Sequence, residues 1–366
     1  MKLLRTWGLL GGLLAWVWGC QNSPSAVIQV EPANLPSSTS SMVEANAPPE
    51  SLREIWQSPQ ACQSYFKTRP VRDPVPRIAT WNLRWFPDGT PEAKPSGGTD
   101  LNWLACVLSS LELDVVAVQE VKRTALAQQA MTQLLGALKQ LSGATYALEL
   151  DRCPLDDDAH VGFLYNTARV SIAKLQDYPS LNPYGVSCEG RLRTGFGGYV
   201  KIAGGPDLSL LSVHLKSGPD QRSYTLRRRS LAGMKDVFAN ANAAQPDGDV
   251  LVLGDFNTMG CEDCAPLITG ADEREVLAGE LGALVPRFHR LPTDLSCSEY
   301  YANGPSLLDH IVAAEPFEEF PKDGRATVSG YCAEAKCAAF STPPAAYTAL
   351  SDHCPIVMEL AAEDRD

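Results

Sequence analysis

The stretch Val250-Leu251-Val252-Leu253-Gly254-Asp255-Phe256-Asn257 reads as a short buried strand ending in two polar groups. Its continuous aliphatic run, half of it β-branched, is too short for a helix and suits a strand covered on both faces. Beyond the run, Asp255 and Asn257 are two apart and share one side, while Phe256 alternates away into the core. A carboxylate at the mouth of an apolar strand is costly to bury unless a cation or donor answers it, so this end is where chemistry is expected.

Other runs have the same design. Ile78-Ala79-Thr80-Trp81 finishes in Asn82, Val115-Val116-Ala117-Val118-Gln119 in Glu120, and Leu210-Leu211-Ser212-Val213 in His214. In Leu307-Leu308-Asp309-His310-Ile311-Val312 an acid lies inside an apolar strand, and His310 beside it faces the opposite way as a packed histidine. Ser351-Asp352-His353 opens a last apolar run through Ile356, Val357 and Met358. Alternation or short β-branched runs predict strands over 77–81, 113–118, 161–165, 199–202, 208–215, 249–253, 306–313 and 354–360. Helical spacing predicts helices over 101–111, 126–141 and 224–241. Strands outnumber helices and their connections vary in length, which points to an α/β sandwich of mixed or antiparallel sheets with helices outside. Oppositely directed strands bring Asn82, Glu120, His214, Asp255, Asn257, Asp309, Asp352 and His353 to one edge. Oxygen-rich groups with two imidazoles suit Mg²⁺ or Mn²⁺ with acid–base chemistry, and not a closed zinc site.

Composition narrows the setting. With 366 residues, 45% of them hydrophobic, the chain is too apolar for general disorder. Its net charge of -12 repels polyanions at long range, so any nucleic-acid contact needs a local basic cleft or bound cations. Within the helix over 224–241, Arg227-Arg228-Arg229 fan around the axis and read as a solvated face, whereas Lys216 is aimed at the cleft.

Lys2 and Arg5 precede an apolar run from Gly8 to Gly19, which reads as an export signal. The junction Val17-Trp18-Gly19-Cys20 resembles a bacterial lipoprotein box, with lipid on Cys20, although Trp18 is larger than the residue usual there. Residues 1–19 are thus expected to be a signal peptide, 20–75 a tether and irregular extension, and 76–366 one catalytic domain. Cys20 aside, ten of the 11 cysteines remain, which suggests several disulfides in an oxidising compartment. Cys153 with Cys188, Cys332 with Cys337, and the Cys261-Glu-Asp-Cys264 pair are candidates.

The segments WNLRWF (81–86), VAVQEVK (116–122), SVHLKSG (212–218), VLGDFNT (252–258), LLDHIVA (307–313) and SDHCPI (351–356) resemble, in order, the motif series of the endonuclease/exonuclease/phosphatase superfamily. The resemblance spans about residues 77–360. It implies a four-layer α/β sandwich of two mixed, mainly antiparallel sheets flanked by helices. It further implies that Glu120 is the principal metal carboxylate, that Asn82 supports the metal, and that Asp352 is a second ligand. Asp255 would activate water, Asn257 hold a phosphate oxygen, Asp309 pair with His353, and His214 donate to phosphate or leaving oxygen. Arg84 stands where many members carry an acid. For the acid that supports the His214-type histidine in deoxyribonuclease I, Asp158 and His160 are the nearest candidates. The implied activity is an exported, divalent-metal-dependent phosphodiesterase, foremost a nuclease hydrolysing DNA or RNA, anchored to membrane through Cys20 and without an evident protein partner. HLKSG followed by an Arg-rich helix favours the nuclease over the alternatives, a lipid head-group phosphodiesterase or an inositol phosphate phosphatase.

Overall fold

The computed structural model describes residues 50–69, 75–90, 98–301, 304–320 and 325–365. The export signal and Cys20 lie outside them. The apolar runs form strands: β1 (Arg77–Phe86), β2 (Val115–Val121), β3 (Tyr146–Leu150), β4 (His160–Asn166) and β5 (Val170–Tyr178). They continue as β6 (Gly195–Ile202), β7 (Asp207–His214), β8 (Val250–Asp255), β9 (Phe288–Arg290), β10 (Glu299–Tyr301) and β11 (Gly304–Ser306). β12 (Asp309–Ala314), β13 (Thr327–Val328) and β14 (Ile356–Glu359) complete the set.

Two six-stranded mixed sheets result, in the orders β13-β14-β1-β2-β4-β3 and β5-β6-β7-β8-β12-β9. They are flanked by helices in an α/β sandwich. In each sheet the two central strands run parallel, β1 with β2 and β7 with β8, and every other pairing is antiparallel. That pattern places the site. Parallel pairing sets His214 opposite Asp255 at the ends of β7 and β8. β12 starts where β8 stops, with Asp309 opposite Asp255. β14 runs back along β1, so the residues just before it arrive beside Asn82.

The sheets meet face to face, β1 against β8 and β2 against β7. Away from the site, the buried polar groups between them bond to one another: Gln119 Nε2 donates to Ser212 Oγ (3.1 Å), which donates to the Val118 carbonyl (3.1 Å). Trp81 and Phe256 are fully buried, as their alternation predicts. The helices Leu101–Leu111 and Ala125–Ser142 match their periodic signals and begin at side-chain caps, Asp100 and Thr124.

Four expectations need correction. The helix expected over 224–241 is divided into Gln221–Ala232, a 3-10 turn Gly233–Asp236 and Val237–Ala244. Gly233 lies so close to residue 180 that an added Cβ would be 1.7 Å from the Ser180 carbonyl. The extension expected to be irregular holds the helix Pro59–Thr68, capped by Ser58 and tied to the body by Cys62–Cys106. Asp309 opens its strand instead of lying inside it. Cys332 pairs with Cys354, and Cys337 with Cys297, because the intervening turn turns their sulfurs to different neighbouring segments. The bridges Cys153–Cys188 and Cys261–Cys264 form as expected. No helix among the described residues is long and apolar enough to cross a membrane.

Candidate active site

At the shared edge the ladder breaks on both central strands of the first sheet. The β1–β2 register shifts between Asn82 and Phe86, and Arg84, Trp85 and Glu120 all take left-handed φ (47°, 47° and 59°). Such backbone conformations are unfavourable for L-residues and persist where surrounding bonds enforce them. Here the Trp85 N–H donates to Glu120 Oε2 (3.0 Å) and the Arg84 N–H to Asn82 Oδ1 (3.0 Å). Arg84 itself is led away, its guanidinium donating to the Tyr347 and Thr348 carbonyls.

In the second sheet Gly254 makes the approach possible. It has φ +151°, and a Cβ there would lie 2.0 Å from the Val213 carbonyl oxygen. Asp255 follows, buried, and accepts from Asn82 Nδ2 on Oδ2 (3.0 Å) and from the Asn257 N–H on Oδ1 (2.8 Å). The Asn257 amide donates to the Leu215 carbonyl at 3.1 Å. Asp255 Oδ2 lies 3.5 Å from His214 Nε2 on the neighbouring strand, and across the sandwich it lies 3.9 Å from His353 Nε2, while Glu120 Oε1 lies 3.7 Å from His214 Nε2. His353 Nδ1 and Asp309 Oδ2 are 2.8 Å apart. Ser298 Oγ donates to the same Asp309 oxygen (2.7 Å), and Ser351 Oγ receives the His353 N–H (3.0 Å) while donating to the Asn82 carbonyl (2.7 Å).

The imidazoles have opposite electrostatics. Burial, reinforced by the positive charges of Arg193, His353 and Lys216, holds His214 well below the usual histidine range, so it is neutral. Burial acts the same way on His353, but Asp309, its hydrogen bond, and then Asp255 and Asp352 outweigh it and hold the imidazolium well above that range. Burial also pushes the Asp255 carboxyl up to about 7, with His353 opposing and Asp309 and Glu120 adding to the shift. Glu120 is raised, by burial first and by Asp352 next.

Of the residues expected from sequence, Asn82, Glu120, His214, Asp255, Asn257, Asp309 and His353 thus form one bonded or near-contact cluster. Asp352 joins it electrostatically and through a 3.4 Å contact from Ser351 Oγ. Neither Asp158 nor His160 supports His214: His160 Nδ1 is 2.8 Å from Asp151, Asp158 faces Arg193, and His214 Nδ1 has no hydrogen-bond partner. His310 is buried on the far face, 3.0 Å from Thr258 Oγ1 and edge-on to Phe256.

Arg227 is not solvated. It is fully buried and forks onto Glu273 (2.7 and 2.9 Å), donating also to the Lys216, Gly218 and Gly260 carbonyls. The chain that follows His214 is therefore clamped from beneath. Arg228 pairs with Glu280, and Arg229 alone of the three is exposed.

Three participants carried no sequence signal. Glu299, buried next to His353 through a β-bridge, has its carboxyl pushed up to about 8, by burial first, with Asp352, Asp255 and Asp309 adding against His353. Ser298 anchors Asp309, and Arg193 projects its charge onto Glu120 and His214. Their segments have neither a regular hydrophobic period nor a motif.

Carboxylates converge here in excess of cations, and burial raises Glu120, Asp255 and Glu299 together. That shortage of positive charge and the all-oxygen set of Glu120, Asn82 and Asp352 fit a hard divalent cation. Asp255, Asp309 and His353 also offer atoms within 4.8 Å of one another, but Asp309 and His353 already bind each other.

The sequence model of the Endonuclease/Exonuclease/phosphatase family matches residues 79–353, a span that holds every residue of this cluster. The chain belongs to this family. The family's members are phosphoesterases, so the endonuclease/exonuclease/phosphatase assignment makes the chain a hydrolase of that superfamily. Solved structures share the fold. The endonuclease/exonuclease/phosphatase from Bacteroides vulgatus is 15% identical, with a TM-score of 0.52 over 80% of this chain and 100% of that one. TDP2 from Caenorhabditis elegans is 13% identical (TM-score 0.51; 82% and 80%). The mannosyl-6-phosphatase Bt3783 of Bacteroides thetaiotaomicron is 17% identical (TM-score 0.50; 78% and 99%). No curated protein matches the sequence significantly.

Proposed function

We propose that the chain is an exported, divalent-metal-dependent phosphodiesterase that hydrolyses nucleic acid. The observation that carries this reading is the position of Asp255, which accepts from Asn82 Nδ2 at 3.0 Å and lies 3.5 and 3.9 Å from the His214 and His353 imidazoles, with burial raising its carboxyl to about 7. A group titrating there accepts the proton of an attacking water near neutral pH. The His353 imidazolium, held by Asp309, faces the developing charge on phosphate, and the neutral His214 donates one N–H to an oxygen. Arg193 and Lys216 bring positive charge to an anionic substrate. Mg²⁺ or Mn²⁺ bound by Glu120 with Asn82 and Asp352 would supply charge neutralisation at the phosphate oxygens.

Five disulfides support an oxidising compartment. In this reading Cys20 carries the lipid that holds the enzyme outside the cytoplasm. Metabolic labelling with a fatty-acid analogue should tag the wild type and not Cys20→Ala; equal labelling would remove the anchor.

The activity is tested in gels cast with DNA or RNA, beside lipid and inositol-phosphate hydrolysis assays. Cleared bands are expected with nucleic acid, abolished by EDTA and restored by Mg²⁺ or Mn²⁺. Hydrolysis of lipid or inositol phosphate alone would overturn the nuclease reading, and full activity after EDTA and buffer exchange the metal requirement.

A further inference from the structure

A groove runs outward from the catalytic edge along the helix Gln221–Ala232. Its inner part, about 300 Å³, is bounded by Lys216, Leu192, Ser223 and Tyr184. Its outer part, about 370 Å³, shares Tyr184, Arg222 and Leu226 with the first and adds Arg229. The inner end lies toward the site: the charges of Lys216, which lines it, and of Arg193, which follows the lining residue Leu192, both act on His214.

The groove is basic in an acidic protein. Arg222 and Arg229 are exposed and seven apart, so they line one stripe of the helix. Among the described residues neither has a carboxylate within ion-pair distance, unlike Arg227 and Arg228. The single acid on the wall, Asp220, is taken up capping the helix, accepting from the Ser223 N–H (3.0 Å) and Oγ (2.6 Å). Lys216 feels the crowding: burial and the charges of Arg193, Arg227 and Arg222 lower its ammonium from the usual lysine range, with Asp220 opposing.

The opposite wall is built to present an aromatic ring. Tyr184 is 44% exposed, yet its loop is fixed. The buried Asn182 side chain accepts the Tyr184 N–H (2.9 Å) and donates to the Glu189 and Leu192 carbonyls (3.1 and 2.8 Å). The ring lies over Gly190, where φ is +67° and a Cβ would come within 2.5 Å of Tyr184 Cε2. Cys153–Cys188 ties the loop to the segment before β4.

We propose that this groove is the track for a single-stranded nucleic acid, with Lys216, Arg222 and Arg229 spaced along the phosphates and Tyr184 stacking on a base. The proposal rests on the nuclease reading and narrows its substrate. A row of cations tracking a backbone beside a rigid exposed ring is the arrangement single strands require, and a ring face accepts any base. It also answers the charge problem: attraction is confined to one local strip of a polyanion-repelling surface.

The test measures kcat/KM on a dinucleotide, a single-stranded dodecamer and a duplex dodecamer, in DNA and in RNA. The variants are Tyr184→Ala, Arg222→Glu and Arg229→Glu. The wild type should gain strongly from dinucleotide to single-stranded dodecamer in at least one of the two chemistries. Each variant should cut that gain roughly tenfold, through KM, as expected for lost stacking or a reversed phosphate contact. Each arginine variant should also flatten the dependence of log(kcat/KM) on log salt by roughly 0.7 or more. Fluorescence anisotropy of a labelled dodecamer on EDTA-treated protein should show the same losses without turnover. Wild-type length and salt dependence in the variants would overturn the track, as would equal losses on the duplex. Hydrolysis of bis(p-nitrophenyl) phosphate with no cleavage or binding of any oligonucleotide would overturn the nuclease reading itself, and the track with it.

Discussion

His353 Nδ1 lies 2.8 Å from Asp309 Oδ2, although 44 residues separate them and they approach the site on different sheets. Neither group is well placed alone. Asp309 is buried and keeps one oxygen, Oδ1, without a hydrogen-bond partner, and His353 holds its proton because of that acid.

If the two act as a unit, His353→Ala and Asp309→Ala should each lower turnover by roughly 10²–10⁴, the range for losing an acid–base group. The double variant should cost little more than either, because such effects are non-additive. His310→Ala, one residue away on the far face, should keep its rate per folded molecule. Initial rates on one phosphodiester, with folding checked by circular dichroism, decide it. A folded His353→Ala with near-normal turnover would refute the assignment.

Arg227→Ala leaves Glu273 buried without its cation and three carbonyls without a donor. A cost of about 3–5 kcal/mol in urea unfolding is expected. Arg227→Lys should recover only part of it, since a single ammonium does not reproduce the fork. A change within experimental error for Arg227→Ala would mean that the clamp contributes nothing.

The pH dependence of stability should carry the mark of His310. Burial, with Arg290 and Arg274, holds its folded value well below the ordinary 6.5. Between those values the unfolded chain binds the extra proton, so this contribution is fully present above 6.5 and is lost as pH falls below it. The slope is at most about 1.4 kcal/mol per pH unit from this one group. His310→Ala should therefore show a shallower decline from pH 6.5 downward than the wild type. Parallel curves would show that His310 does not drive it.

Breaking Cys62–Cys106, by Cys62→Ser with Cys106→Ser, should destabilise by about 2–5 kcal/mol, the usual range for a native bridge. The bridge joins the helices Pro59–Thr68 and Leu101–Leu111, neither of which supplies a residue of the cluster, so turnover of the folded fraction should persist. Equal melting temperatures for both proteins would mean that the helix Pro59–Thr68 docks without it.

What was legible in the sequence was what is local. Glu120, His214 and Asp255 stand at ends of apolar runs, and a strand's period of two fixes which neighbours join them. The burial of Arg227 escapes the sequence because it is decided by the loop at 216–218 and by residues 260 and 273, which only the fold brings against its side chain. Glu299 shows no period around it and reaches the site only through a bridge to His353. Cys332 and Cys337 looked like partners by proximity along the chain, whereas their pairing depends on which segments the fold brings alongside. The divided helix over 221–244 turns on one close approach, Gly233 to residue 180, that periodicity does not register.

The return of β14 to the edge of β1 has a consequence for timing. Trp81 donates its indole N–H to the His353 carbonyl at 3.0 Å, so His353 takes its place only once β1 and the segment before β14 have come together. Cys354, the next residue, must then find Cys332. The imidazolium is thus mounted by contacts far apart along the chain, and a partly folded molecule holds the carboxylates without the cation that completes the pair.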